Sequence, residues 1–132
     1  MRLVTGIDVQ SIGEVKESLT RFGDRYRTRL YSERELDECA ANLERTAESL
    51  AVRFAAKEAV IKVLEPHDHI PSWRTIEVLL RTGGPTIVLN GEAEDLARHK
   101  GVETMSLSVS VARDHAIAAV VAVTLDAENG RS

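Results

Sequence analysis

A chain of 132 residues has the length of a single domain, and its 43% hydrophobic residues suffice for a buried core built mainly from Val, Ile, Leu and Ala. A formal net charge of −4 argues against nucleic acid as the main partner, and a lone cysteine, Cys39, excludes an intramolecular disulfide framework. With no signal-peptide pattern and no apolar run of membrane-spanning length, a soluble cytoplasmic protein is expected, in keeping with reduced thiols.

Leu3 to Val9 reads as a strand with Asp8 near its end, either a turn acid or an acid held there for a purpose. Ser11 and Glu14 have capping-box spacing and open a helix whose apolar face is Ile12, Val15, Leu19 and Phe22, with Gly23 as its stop. Arg21, Arg25, Arg27 and Arg29 then concentrate positive charge in an otherwise acidic chain. Such a cluster is either a solvated face or a docking patch for an acidic partner. Ser32 and Glu35 form a second capping box, opening a short helix to about Cys39, a small buried hydrophobe. A long helix is expected from about residue 44 to Leu64.

Pro66 and Pro71 make residues 65–71 a loop, in which His67 and His69 lack the further ligands a metal site needs. Ile76 to Arg81 and Thr86 to Leu89 read as an antiparallel hairpin around Thr82-Gly83-Gly84-Pro85. A helix follows from Gly91 to Lys100, acidic at its start and basic at its end, with Gly101 as its stop. Thr104 to Val111 alternates as a half-buried strand, and His115 to Val123 returns as a strand expected to be buried on both faces. Residues 124–132 read as a polar tail behind a single domain of residues 1–123. Hairpins around one long helix imply an α+β fold, an antiparallel sheet packed around that helix.

Within the long helix, Arg53 to Lys62 is alanine-rich and carries few charges. Glu58 and Lys62 lie one above the other, and Arg53 and Lys57 form a second pair round the helix. A mostly buried helix needs a reason for such charges, because burying an unpaired charge is costly. Glu58 and Lys62 are either a helix salt bridge or, if the end of the first strand meets the middle of this helix, part of a site with Asp8. Two carboxylates with open positions suit Mg²⁺.

The run RFAAKEAVIK at 53–62 resembles the signature of the 4′-phosphopantetheinyl transferases, in particular the short holo-acyl-carrier-protein synthase type. GIDV at 6–9, Trp73 with Ile76-Glu77-Val78, Gly83-Gly84-Pro85 and SVSVARDHAIAAVV from Ser108 match in order and spacing, from about residue 3 to residue 123. The resemblance implies transfer of the 4′-phosphopantetheine arm of coenzyme A to a serine of an acidic acyl carrier protein, with release of 3′,5′-ADP. The carrier would serve fatty-acid synthesis or a specialised polyketide or peptide pathway. By the same resemblance, Asp8 and Glu58 hold Mg²⁺, Lys62 meets the pyrophosphate, and Arg53, Gly84, Pro85 and Ser110 lie toward the nucleotide. The serine proton goes to Glu58 or to a metal-bound water. The Arg21–Arg29 cluster becomes the carrier patch, and a homotrimer with its site between subunits is implied.

The chain departs from the family pattern at two places. Glu65 stands where a glycine is common, and Val111 where a histidine is common, so weaker binding of coenzyme A is expected. These departures keep a second reading open, a relative that binds carrier or nucleotide without turnover. Glu14 and Glu17 also occupy a first helix that usually begins with basic residues.

Overall fold

The computed structural model describes residues 1–39 and 43–125. The chain runs β1 (Arg2–Ser11), α1 (Ile12–Phe22), α2 (Asp24–Leu30), α3 (Glu33–Glu38) and α4 (Leu43–Leu64). A short 3₁₀ turn at Trp73–Thr75 leads into β2 (Ile76–Arg81) and β3 (Gly84–Leu89), then α5 (Gly91–His99), β4 (Val102–Ala112) and β5 (His115–Thr124). The expected tail lies, beyond Leu125, outside the described residues. Among the described residues no helix is long and apolar enough to cross a membrane.

Local chemistry accounts for most element ends. The Ser11 hydroxyl accepts the Glu14 N–H at the start of α1, and Gly23 ends that helix at φ 56°, a conformation glycine adopts freely. Ser32 and Glu35 form a complete, reciprocal capping box at α3. Of the clustered arginines, Arg21 lies in the last turn of α1, and Arg25, Arg27 and Arg29 lie on a second helix, α2. The hairpin between β2 and β3 is tighter than the sequence suggests: Arg81 pairs with Gly84, so the turn is Thr82-Gly83 and Pro85 lies inside β3, opposite Leu80.

The α+β architecture is as expected, in two sheets. β1, β5 and β4 form an antiparallel three-stranded sheet in that order, and β2 and β3 form a separate hairpin. The inner face of the first sheet packs on α4. Ala116, Ala118, Val120 and Ala122 of β5 are fully buried, as are Ala55, Ala56 and Ala59 of α4. Small residues on both partners bring helix and sheet close together.

The expectation that β5 is buried on both faces fails in the protomer. Its alternate residues Ile117, Ala119 and Val123 are half-buried and Val121 is 42% exposed. On the same outer face of β1, Leu3, Ile7 and Val9 are exposed. A central strand flanked on both edges is covered on only one face unless a second layer is added.

On its other side, α4 is tied to α3 and β2 by a buried ionic network. Lys57 and Glu35 are wholly buried and paired at 2.8 Å. The Lys57 ammonium also donates to the carbonyls of Trp73 and Ile76, and Glu35 accepts the N–H groups of Val78 and Ser32. Every buried side-chain polar atom among the described residues has a partner, so the cost of burying these charges is offset by complete pairing.

Candidate active site

The site begins at a glycine. Gly6 of β1 crosses α4 so closely that a Cβ there would lie 2.3 Å from the Ala59 carbonyl oxygen and 3.2 Å from the Lys62 Cβ. Two residues on, the strand period puts Asp8 on the same face. Its Oδ1 lies 3.4 Å from the Lys62 Nζ, and its Oδ2 accepts a hydrogen bond from Gln10 Nε2 at 2.8 Å. Lys62 also donates to the Ile7 carbonyl at 2.7 Å, while its side chain stays 55% exposed.

Glu58 stands one helical turn before Lys62 on the same flank of α4. Partial burial pushes its carboxyl above the usual carboxylate range. The Asp8 charge pushes the same way and Lys62 opposes it. The strand end and the helix middle therefore do meet, and the two acids share one electrostatic field beside an accessible ammonium. The donor set fits a hard divalent cation. Two carboxylates supply oxygen ligands; among the described residues no group of three or more His, Cys, Asp or Glu is gathered, so further ligands to a cation would have to come from water or phosphate oxygens.

The residues expected toward the nucleotide lie apart from these carboxylates within the protomer. Arg53 is 1% exposed, and its guanidinium is occupied inside the protein. It donates to the Val78 carbonyl at 3.0 Å, to the Ser49 hydroxyl and to Glu38. In the protomer Arg53 braces α4 against β2 and α3. Ser110 pairs in register with Ile117, whereas Asp8 pairs with Ala118, so Ser110 and Asp8 point to opposite faces of the sheet. Gly84 and Pro85 sit at the far hairpin.

Beside that hairpin a cleft of about 380 Å³ is lined by Arg45, Glu48, Ser49, Val52 and Leu80. Arg45 and Glu58 are thirteen positions apart, about 220° round the helix, so the cleft and the carboxylates occupy different flanks of α4. A single protomer does not bring them together. Sequence reasoning missed Gly6, Gln10 and Arg45. Gly6 had a signal, because it opens the GIDV match.

The arginine cluster is partly organised. Arg25 and Arg29 line a cavity of about 330 Å³ with Phe22, Tyr26, Leu30 and Trp73. Arg21 lies 5.4 Å over the Phe22 ring, and Arg27 is 3.6 Å from Asp24. Trp73 packs edge-on against Phe54, one turn before Glu58 on α4, which links this cavity to the carboxylates.

Residues 5–120 match the family model of the 4′-phosphopantetheinyl transferase superfamily. The chain belongs to that superfamily. It is 42% identical over 122 residues to the holo-[acyl-carrier-protein] synthase of Dehalococcoides mccartyi strain CBDB1, covering 91% of this chain and 98% of the relative. The synthase of Moorella thermoacetica is 39% identical, with 92% of each chain covered. Among solved structures, the ACPS–CoA complex from Chronobacterium ammoniagenes superimposes with a TM-score of 0.81 at 30% identity, over 96% of this chain and all of the other. The Helicobacter pylori holo-[acyl-carrier-protein] synthase, in complex with coenzyme A, gives 0.75 at 29% identity, over 91% of this chain and all of the other. The fold is thus that of the phosphopantetheinyl transferases, and the chain is a transferase of that kind.

Proposed function

We propose that this chain transfers 4′-phosphopantetheine from coenzyme A to a serine of an apo acyl carrier protein, and that it needs Mg²⁺ to do so. The convergence of Asp8, Glu58 and Lys62, where β1 crosses α4, carries this reading. The serine hydroxyl attacks the phosphorus that bears pantetheine, the pyrophosphate bond breaks, and 3′,5′-ADP leaves. Asp8 and Glu58 would hold the cation, which when bound supplies charge stabilisation at the pyrophosphate. Lys62, more than half exposed, meets the same phosphates as a point charge. Glu58, with its raised pKa, suits the base that takes the serine proton.

The carrier docks over α1 and α2, where Arg21, Arg25, Arg27 and Arg29 offer charge to an acidic partner and the aromatic-lined cavity offers an apolar seat. The chain assembles as a homotrimer through the outer face of the three-stranded sheet. Leu3, Ile7, Val9 and Val121 form an exposed apolar patch there that calls for a cover, and Ser110 lies on that face. Assembly supports a site shared between subunits, because the cleft and the carboxylates are separated within one copy. The free, buried Cys39 suits a reducing cytoplasm.

Intact-mass analysis of an apo carrier incubated with the protein, coenzyme A and Mg²⁺ tests the reading. A gain of one phosphopantetheine, lost with chelator and in Asp8→Ala or Glu58→Ala, is expected. No gain with several carriers and a folded protein would refute it. The alternative, binding without turnover, is favoured by Val111, an exposed aliphatic at the end of β4 that offers a phosphate nothing.

A further inference from the structure

The two oxygens of the Asp8 carboxylate have unlike partners. Oδ1 is turned toward α4, where the Lys62 ammonium stands 3.4 Å away and lies closer, at 2.7 Å, to the Ile7 carbonyl. That oxygen is loosely held and can be given up to a cation. Oδ2 is turned along the strand instead and accepts a hydrogen bond of 2.8 Å from the Gln10 amide. This bond has an ordinary, favourable length, and its acceptor is ionised.

The sheet around Asp8 leaves this task to Gln10. Asp8 pairs in register with Ala118 and Gln10 with Ala116, and Val111 of β4 pairs with Ala116 from the other side. Residues paired across strands share a face. The neighbours of Asp8 and Gln10 on that face are therefore two methyl groups and an isopropyl group, none of them a hydrogen-bond donor. Gln10, two residues on from Asp8 and half-buried, supplies the donor. Its backbone is fixed by pairing with β5, so the amide is presented from a rigid strand.

Resting on the transferase reading, we propose that Gln10 is a positioning residue: by occupying Oδ2 it makes Asp8 a one-oxygen ligand and leaves Oδ1, turned toward α4, for the cation. A carboxylate limited to one oxygen suits Mg²⁺, which demands near-octahedral ligands at short distance. A carboxylate with both oxygens free can embrace a larger cation such as Ca²⁺ with the pair. Gln10 thus favours the smaller ion without touching it, as hydrogen-bond partners of metal ligands do elsewhere.

Titration calorimetry of the full chain with Mg²⁺ and with Ca²⁺, in the presence of coenzyme A and without carrier, tests this. The wild type is expected to bind Mg²⁺ in preference. Gln10→Met keeps the side-chain length and removes the donor. It is expected to lose about tenfold in Mg²⁺ affinity while holding Ca²⁺ at least as well as the wild type. Gln10→Val, equally without a donor and at home in a strand, should behave the same way. Carrier modification by either variant should need about tenfold more Mg²⁺ for its half-maximal rate, with KM for the carrier unchanged. Gln10→Lys restores a donor to Oδ2, so the ratio of the two affinities should return to the wild-type value even though the added charge weakens both. Equal affinities for the two cations in the wild type, or an unchanged ratio in folded Gln10→Met and Gln10→Val, overturn the proposal. An equal shift in Gln10→Met and Gln10→Lys also overturns it, because that would mark a packing role. If the wild type binds neither cation, the metal pair of the transferase reading falls and takes the proposal with it.

Discussion

Replacing Gly6 by alanine tests whether the site depends on the crossing of β1 over α4. The new Cβ would lie 2.3 Å from the Ala59 carbonyl oxygen, whereas ordinary contact begins at 3.4 Å, so strand and helix must separate by about 1 Å. No flexible side chain can yield, because the nearest obstacle is helix backbone. Overpacking of this kind costs about 1–3 kcal/mol. The activity cost should be larger in proportion, since a misplacement of about 1 Å lowers catalysis by about a hundredfold. The shift carries Asp8 away from Lys62 and Glu58. Urea denaturation would give the stability change, and intact-mass kinetics of carrier modification the rate. The expected signature is a folded protein with modest destabilisation and a drop in kcat of about two orders of magnitude. Wild-type kcat in Gly6→Ala would show that the close crossing is not what positions the acids.

Asp8→Asn should lower the pKa of Glu58, read by carbon NMR of its carboxyl; an unchanged value would mean that burial alone raises it. Glu58→Gln should abolish transfer while leaving the protein at least as stable at pH 7, because a raised folded pKa means that ionised Glu58 opposes folding above its unfolded pKa. Glu77 acts in the opposite sense. Hydrogen bonding and charge from Arg34, with help from Ser32 and Asn90, hold its carboxyl down at about 2 against an ordinary 4.5. Its contribution, of the order of 2 kcal/mol, is complete above pH 4.5 and lost as pH falls toward 2, so Arg34→Ala should flatten this part of the acid limb in urea titrations. Glu65 adopts φ 47° after the last turn of α4, a left-handed conformation, and Glu65→Gly should raise stability by about 1 kcal/mol, seen as a higher Tm. Lys57→Met should destabilise by about 3–5 kcal/mol in the same assay, because it strands the buried Glu35 carboxylate.

Much of this fold was legible because its element ends carry local signals. Ser11, Ser32, Gly23 and Gly101 mark their boundaries by capping chemistry, and β4 alternates cleanly. α2 was not read as a helix, since Asp24 to Leu30 is short and its arginines draw attention to charge. The spacing of Tyr26 and Leu30, one turn apart and both packed toward the core, was the available signal. The meeting of Asp8 with Glu58 and Lys62 followed from a strand end and a helix middle. The role of Arg53 did not, because its partner Glu38 lies on α3, a run of acids that looks like surface, and only the tertiary fold brings them together. Likewise the face taken by Ser110 depends on β-register, and a shift of one residue would reverse it.

The contact between α4 and the sheet is made of methyl groups: Ala55, Ala56 and Ala59 on one side, Ala116, Ala118 and Ala122 on the other, with Gly6 at the tightest point. Such a seam has almost nothing left to trim. Most buried positions can fail by becoming too small or too large, but these can fail only by growing. Variation in the seam should therefore be one-sided, with serine or glycine accepted at a few positions and valine at hardly any. Accumulated bulk would prise the two layers apart and silence the acids before the domain itself came undone.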